Sequence, residues 1–258
     1  MEFYTPSHMI NTRINIAVIG LGGTGSYVLP MLAQMNYLLR CISQDNVQLN
    51  VSVYDPDSVS RWNIGRANYY LMDVGKNKAN ALTERLNLGW GTQWRAHACK
   101  FDVSMASRFD VVFTCVDNIQ SRLDLGEYHQ GQECDTLWID GGNGSHQGNV
   151  MWGHLGNPND TDKIPNWYDL YAATMEGVEE DVTDSCSHEA SLFKQDYGIN
   201  HITAVLMCQY LWRLMRHGSL THHVQMFDIA EGDLASLDID PEMWKTFNYA
   251  PDIESVAH

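Results

Sequence analysis

Gly20-Leu21-Gly22-Gly23-Thr24-Gly25 puts four glycines within six residues, directly after the apolar run at 15–19. Glycines in that position let the chain turn tightly and bring backbone N–H groups close to a phosphate. A following helix aims its positive N-terminus at the same point. Gly20, Gly22, Gly23 and Gly25 are therefore candidate nucleotide-binding positions. Dehydrogenases and methyltransferases share such a turn, so the glycines alone do not select a reaction. The next apolar run ends in Asp55-Pro56-Asp57-Ser58-Val59. A carboxylate at the end of a strand can accept hydrogen bonds from both ribose hydroxyls, which points to Asp55. A nicotinamide dehydrogenase places that acid about 20 residues beyond the glycines. Here Asp55 lies 30 residues beyond Gly25, so the crossover is longer.

Attack by a carboxylate on the α-phosphate of ATP makes three demands that this chain has residues to meet. Negative charge on the phosphates must be neutralised, and Arg66 and Lys78 suit that task; Lys76 is the nearest alternative to Lys78. A metal must be held by a carboxylate, and Asp117, following an apolar strand pattern, suits Mg²⁺. The nucleotide must be held in place, by the glycine turn and Asp55. A nicotinamide-dependent oxidoreductase would use the glycines and Asp55 but leave Arg66, Lys78 and Asp117 idle. A non-catalytic scaffold that keeps the nucleotide is the other alternative.

The elements that must position these groups are legible in the hydrophobic pattern. Residues 15–19, 49–54, 94–99, 111–115, 137–140 and 147–155 read as strands, and 25–39, 76–88 and 120–132 as helices. Pro30 is expected to kink the first helix or reset its start. Alternation of strands and helices implies an α/β fold with a Rossmann-like, doubly wound, mostly parallel sheet. After residue 155 the periodicity fades. Residues 156–188 read as a long crossover loop, 189–217 as one or two helices, 221–229 as a late strand that mixes the sheet, and 238–258 as a tail with a helical turn at 242–247. The whole chain, 1–258, reads as one domain: a nucleotide-binding half (1–155), the crossover loop (156–188), and late helices, return strand and tail (189–258).

The order of the motifs is similar to that of the ThiF and ubiquitin-activating-enzyme-like superfamily. Asp55-x-Asp57-x-Val59-x-x-x-Asn63-x-x-Arg66 resembles its D-x-D-x-V-x-x-S-N-L-x-R-Q signature. Lys78 falls where the superfamily carries its G-x-x-K lysine. Asp117-Asn118 followed by Arg122 resembles D-N-x-x-x-R, and Asp140-Gly141-Gly142 with Gly148-Asn149-Val150 resembles the next strand pair. The chain departs from the pattern at Trp62 and Ala67, where the superfamily has serine and glutamine, and it lacks the upstream R-Y-x-R-Q segment. Ser185-Cys186-Ser187, Gln195-Asp196, Ile199-Asn200 and Leu211-Trp212-Arg213-Leu214 carry a narrower similarity to the ThiF-family proteins of the PRTRC gene system. The resemblance implies adenylation of the C-terminal carboxylate of a small ubiquitin-like or sulfur-carrier protein, with ATP and Mg²⁺ as cofactors. It adds Asp57, Asn63 and Asn118 to the nucleotide site, and it implies a homodimer and a conjugating-enzyme-like partner. Cys186 is implied as a nucleophile that takes the acyl group as a thioester. A cysteine at a helix N-terminus has a lowered pKa, and His188 stands beside it as a base.

Composition narrows the partners. Sixteen basic residues face 32 acidic ones, a formal charge of −16, which disfavours nucleic acid. The longest greasy stretch, at 204–215, is broken by Gln209 and Arg213 and is too short to span a membrane. The six cysteines are scattered with no C-x-x-C pair, so no zinc framework is expected. The polar start and the unpaired cysteines point to the cytoplasm. His222 and His223, adjacent in a strand pattern, would point to opposite faces and do not form a ligand pair.

Overall fold

The computed structural model describes residues 1–175 and 194–249. Eight strands form one sheet in the order β10-β9-β7-β6-β5-β2-β3-β4. In chain order these are β2 (Arg13–Ile19), β3 (Gln48–Tyr54), β4 (Arg95–His97), β5 (Val111–Thr114), β6 (Leu137–Asn143), β7 (Gln147–His154), β9 (His222–Asp228) and β10 (Asp233–Asp238). From β6 to β4 every pairing is parallel. β7, β9 and β10 continue the sheet antiparallel. Two short strands, β1 (Phe3–Tyr4) and β8 (Ser219–Leu220), pair separately. This is the expected Rossmann-like α/β sheet.

Alternating apolar side chains bury both faces, as a parallel sheet requires. Ile16, Val18, Phe113 and Ile139 join one core with residues of α1 (Gly25–Ser43), α2 (Lys78–Trp90) and α5 (Ile199–His217). Ala17, Val112 and Trp138 join the other with residues of α3 (Ile119–His129) and α4 (Trp167–Met175). The chain runs outward from β2 in two directions, to β3 and β4 on one side and to β5 and β6 on the other. The switch point therefore lies between β2 and β5, where open α/β sheets leave a crevice at the carboxyl ends of their strands.

Several expectations need correction. Of the two outcomes expected at Pro30, a reset start is ruled out: α1 begins at Gly25 and continues through Pro30 to Ser43. Within 156–188, read as loop, the described part contains α4, which buries Trp167 and Leu170 against the second core. Its nine residues give too few turns for a clear period. β10 went unforeseen because it is an edge strand with nearly every residue exposed, so it shows no core-facing alternation. A short α6 (Pro241–Trp244) supplies the expected turn near the end. Among the described residues no helix is long and apolar enough to cross a membrane.

Candidate functional site

A cleft of about 600 Å³ opens at the switch point, within the range of about 300–1,000 Å³ usual for small-molecule sites. Gly20, Gly22 and Gly23 line it, together with Asp55, Asp57, Arg66, Lys78, Asp117 and Asn118. These come from four places far apart in the chain: the β2–α1 turn, the region after β3, the start of α2, and the β5–α3 turn. Gly25 lies beneath the turn. A Cβ there would sit 2.0 Å from the Gly20 carbonyl oxygen, so only glycine lets the chain fold back this closely. Thr24, the N-cap of α1, makes no side-chain capping bond to its own helix. Two first-turn amides are engaged by the turn itself: Ser26 N–H donates to the Gly22 carbonyl at 3.3 Å and Tyr27 N–H to the Thr24 carbonyl at 2.9 Å.

Asp55 is buried, and both its oxygens are engaged. Oδ2 accepts from the Leu21 amide at 2.6 Å and Oδ1 from the Asp57 amide at 2.8 Å. It braces the glycine turn against the end of β3. Burial pushes its carboxyl above the usual range, and the nearby Lys78 charge pulls it back. Asp57 is the accessible acid of the pair: its side chain is 57% exposed and lies 3.0 Å from the Lys78 ammonium, itself 4% exposed. Lys78 opens α2, which Asn77 caps by accepting from the Asn80 amide. Lys76 instead lies exposed, 3.7 Å from the buried Asp73.

Arg66 donates from Nη1 to Gln195 Oε1 at 3.1 Å, while its Nε is buried with no partner among the described residues. Burial lowers its pKa and the charge of Asp117 opposes that shift; a guanidinium remains protonated regardless. Asp117 is exposed in the turn between β5 and α3. Asn118 caps α3 by accepting from the Ser121 amide at 2.8 Å. Asn63 does not reach the cleft. It is fully buried, and its Oδ1 accepts from the Ser60 amide, which shapes the turn that carries Arg66. Cys186, with Ser185, Ser187 and His188, lies outside the described residues. The cleft's own thiol, Cys115, is buried and its pKa is pushed well up; burial takes Cys208 up to about 12. Neither is poised as a thiolate.

Two groups that sequence reasoning left without a role prove central. Arg122 is buried with Asp140, Nε to Oδ1 at 2.8 Å, and Asp140 also accepts from the Thr114 hydroxyl. Asn143, Gln195, Asn200 and Thr203 form a polar network with Thr24 around the glycine turn. Asn143 and Thr203 carry no local sequence signal, since single polar residues at an element's end are common. Beyond Arg122, Gly142 and Asn143 a second cavity of about 740 Å³ adjoins the cleft, with Trp167, Tyr171 and Phe227 in its walls. Among the described residues no three His, Cys, Asp or Glu side chains converge as a metal site. Asp117 would be a lone carboxylate ligand, which fits Mg²⁺, an ion held by one or two carboxylates plus substrate phosphates.

A glycine-cradled cleft at the switch point of this sheet, edged by two cations and two accessible acids, defines a Rossmann-like nucleotide site. The match to the ThiF family spans residues 10–217, and the chain belongs to that family. Among solved structures it is similar to E. coli MccB with ATP (TM-score 0.61, 15% identity), covering 95% of this chain and 67% of that one. It is likewise similar to E. coli MccB with AMPCPP and MccA (TM-score 0.60, 13% identity; 95% and 66% covered). PaaA shows the same fold at TM-score 0.58 and 12% identity, with 88% of this chain and 64% of PaaA covered. The chain thus spans about two thirds of the length of these structures. No curated protein sequence matches it.

Proposed function

We propose that this chain binds ATP with Mg²⁺ in the cleft and adenylates the C-terminal carboxylate of a small ubiquitin-like or sulfur-carrier protein. The observation that carries this reading is the meeting of Arg66, Lys78 and Asp117, each from a different part of the chain, beside the glycine turn that opens α1. In the reaction a carboxylate oxygen bonds to the α-phosphorus as the bond to pyrophosphate breaks. Arg66 and Lys78 offset the charge that the leaving group gathers. Lys78 is buried and anchored by Asp57, so its ammonium is held in place before substrate arrives. Asp117 would hold Mg²⁺, which supplies further charge neutralisation when bound. Asp55 at the end of β3 and the more exposed Asp57 both line the cleft and are the acids offered to a ribose. The adjoining aromatic-walled cavity offers the carboxylate-bearing tail an approach past Arg122 and Asn143. Crystal structures of E. coli MccB with ATP, and with AMPCPP and MccA together, support a site shared by nucleotide and a second substrate.

A thioester at Cys186, a homodimer, a conjugating-enzyme-like partner, a cytoplasmic setting and kinship with the PRTRC proteins are further parts of this proposal and rest on the sequence resemblance. A nicotinamide oxidoreductase is not favoured: it would use the glycine turn and Asp55 but leave Arg66, Lys78 and Asp117, which line the same cleft, idle. Pyrophosphate exchange into ATP, measured with candidate carriers, tests the proposal. Exchange that depends on a carrier's free C-terminus, and falls at least about 10²-fold in Asp117→Ala, is the expected result. Absence of exchange with every carrier, or full exchange in Asp117→Ala, counts against it.

A further inference from the structure

We infer that Gln195 is a positioning residue for Arg66: it aims the guanidinium into the cleft without neutralising it. The inference rests on the reading of the cleft as a nucleotide site.

An arginine side chain can only donate hydrogen bonds. Arg66 Nη1 lies 3.1 Å from the Gln195 side chain, so the atom facing it must be the amide oxygen. That single constraint orients every amide behind it. Gln195 Nε2 is then turned to Asn143 Oδ1 at 2.9 Å. Asn143 Nδ2 in turn faces Thr24 Oγ1 and Thr203 Oγ1, both at 2.9 Å, and Asn200 Oδ1 at 3.3 Å. Asn200 Nδ2 completes the circuit, donating to Gln195 Oε1 at 3.1 Å and to the Arg66 backbone carbonyl at 3.4 Å. Thr24 Oγ1 donates to Asn200 Oδ1 at 3.2 Å. Donors and acceptors match with no amide reversed.

The network joins four separately folded pieces: the glycine turn through Thr24, the end of β6 through Asn143, the first turn of α5 through Asn200 and Thr203, and the Arg66 turn. It is tight, because a Cβ on Gly23 would lie 2.4 Å from Asn200 Oδ1. It is also neutral: none of its side chains besides Arg66 bears a charge. A carboxylate in place of Gln195 would hold the guanidinium as well and more strongly, but it would cancel the charge that an anion needs. An amide supplies direction alone. The Arg66 Nε, buried and without a partner among the described residues, leaves bonding capacity on the same group.

The test compares ATP with adenosine, which lacks the phosphates, by calorimetric titration of the full chain. Gln195→Glu is expected to weaken ATP binding about tenfold or more while adenosine binding stays within about twofold. Gln195→Met, of similar length and uncharged, is expected to weaken ATP less than Gln195→Glu, since it frees the arginine without pairing it. It also keeps the test valid if the acid disturbs folding. A purely structural role would lower ATP and adenosine affinity together, and that result overturns the inference. So does ATP affinity within about twofold of the native chain's in both variants. If the native chain binds no ATP, the nucleotide reading falls and this inference with it; native binding with unaffected variants removes the inference alone.

Discussion

Arg66 and Arg122 border the same cleft and are held by opposite chemistry. Arg122 spends four of its five N–H groups on the protein: Nε meets Asp140, Nη1 the Asn118 carbonyl, and Nη2 the carbonyls of Val116 and Gly141. Its charge is cancelled by a buried acid. Arg66 meets one neutral amide oxygen, and its Nε has no partner among the described residues. Removing one partner of a buried ion pair strands the other charge, so the Arg122 region bears on stability. A cation aimed by dipoles keeps its field for a ligand, so the Arg66 region bears on binding and turnover. Counting arginines in a pocket says little; counting what has already been done with each charge says which one is available.

That contrast breaks or sharpens under four changes. The largest effect is expected in Asp140→Ala, which leaves the Arg122 guanidinium buried and unpaired. A loss of about 3–5 kcal/mol in urea unfolding is expected, and a loss below about 1 kcal/mol would erase the distinction between the two regions. Arg66→Ala should do the reverse. Pyrophosphate exchange is expected to fall about 10²–10³-fold, or about 2.7–4 kcal/mol in the barrier, while the urea midpoint hardly moves. If its stability fell as far as that of Asp140→Ala, Arg66 would be a second structural arginine.

A third change asks whether the interior away from the cleft accepts charge without a partner. Burial pushes His154 and His223 down to about 4, against about 6.5 in an unfolded chain. Between those values the unfolded chain binds protons that the folded one refuses. Stability from these groups is therefore fully present above about pH 6.5 and is lost as pH falls towards 4, by roughly 3 kcal/mol for each histidine. Unfolding measured across pH 4–7 should show that decline, and His154→Gln should flatten part of it. A profile level over that window would mean that these sites hold imidazolium readily. The smallest effect is expected in Gly22→Ala. A Cβ there meets nothing within 4 Å, so stability should change by less than about 0.5 kcal/mol. The added methyl faces the cleft, and thermal shift by ATP should shrink. A large loss of stability instead would show that the turn needs glycine at Gly22 for its own backbone.

Much of the site could be read in one dimension because its parts follow strands. The β2–glycine–α1 run, Asp55 after β3, Arg66, Lys78 opening α2 and Asp117 after β5 each sit in a short local pattern, and each lines the cleft. Asn63 shows the limit of such patterns: it belongs to the same signature as Arg66, yet it folds inward to hold the turn. Asp55 carries a role that residue type and strand end did not suggest: besides lining the cleft, its two oxygens accept the backbone amides of Leu21 and Asp57 and brace the glycine turn. In the antiparallel half, β10 lacked a buried face and α4 lacked length, so hydrophobic periodicity could not mark either one.

Period and glycine placement along the chain were enough to mark a parallel sheet and the acids and cations that follow its strands. These follow from local backbone geometry and from burial on two faces of a strand. Which arginine is neutralised and which stays open was decided only in three dimensions. Gln195, Asn143, Asn200 and Thr24 are ordinary polar residues until the fold closes a circuit of donors and acceptors. The direction of a hydrogen bond depends on neighbours that lie as far as 176 residues apart in the sequence, from Thr24 to Asn200.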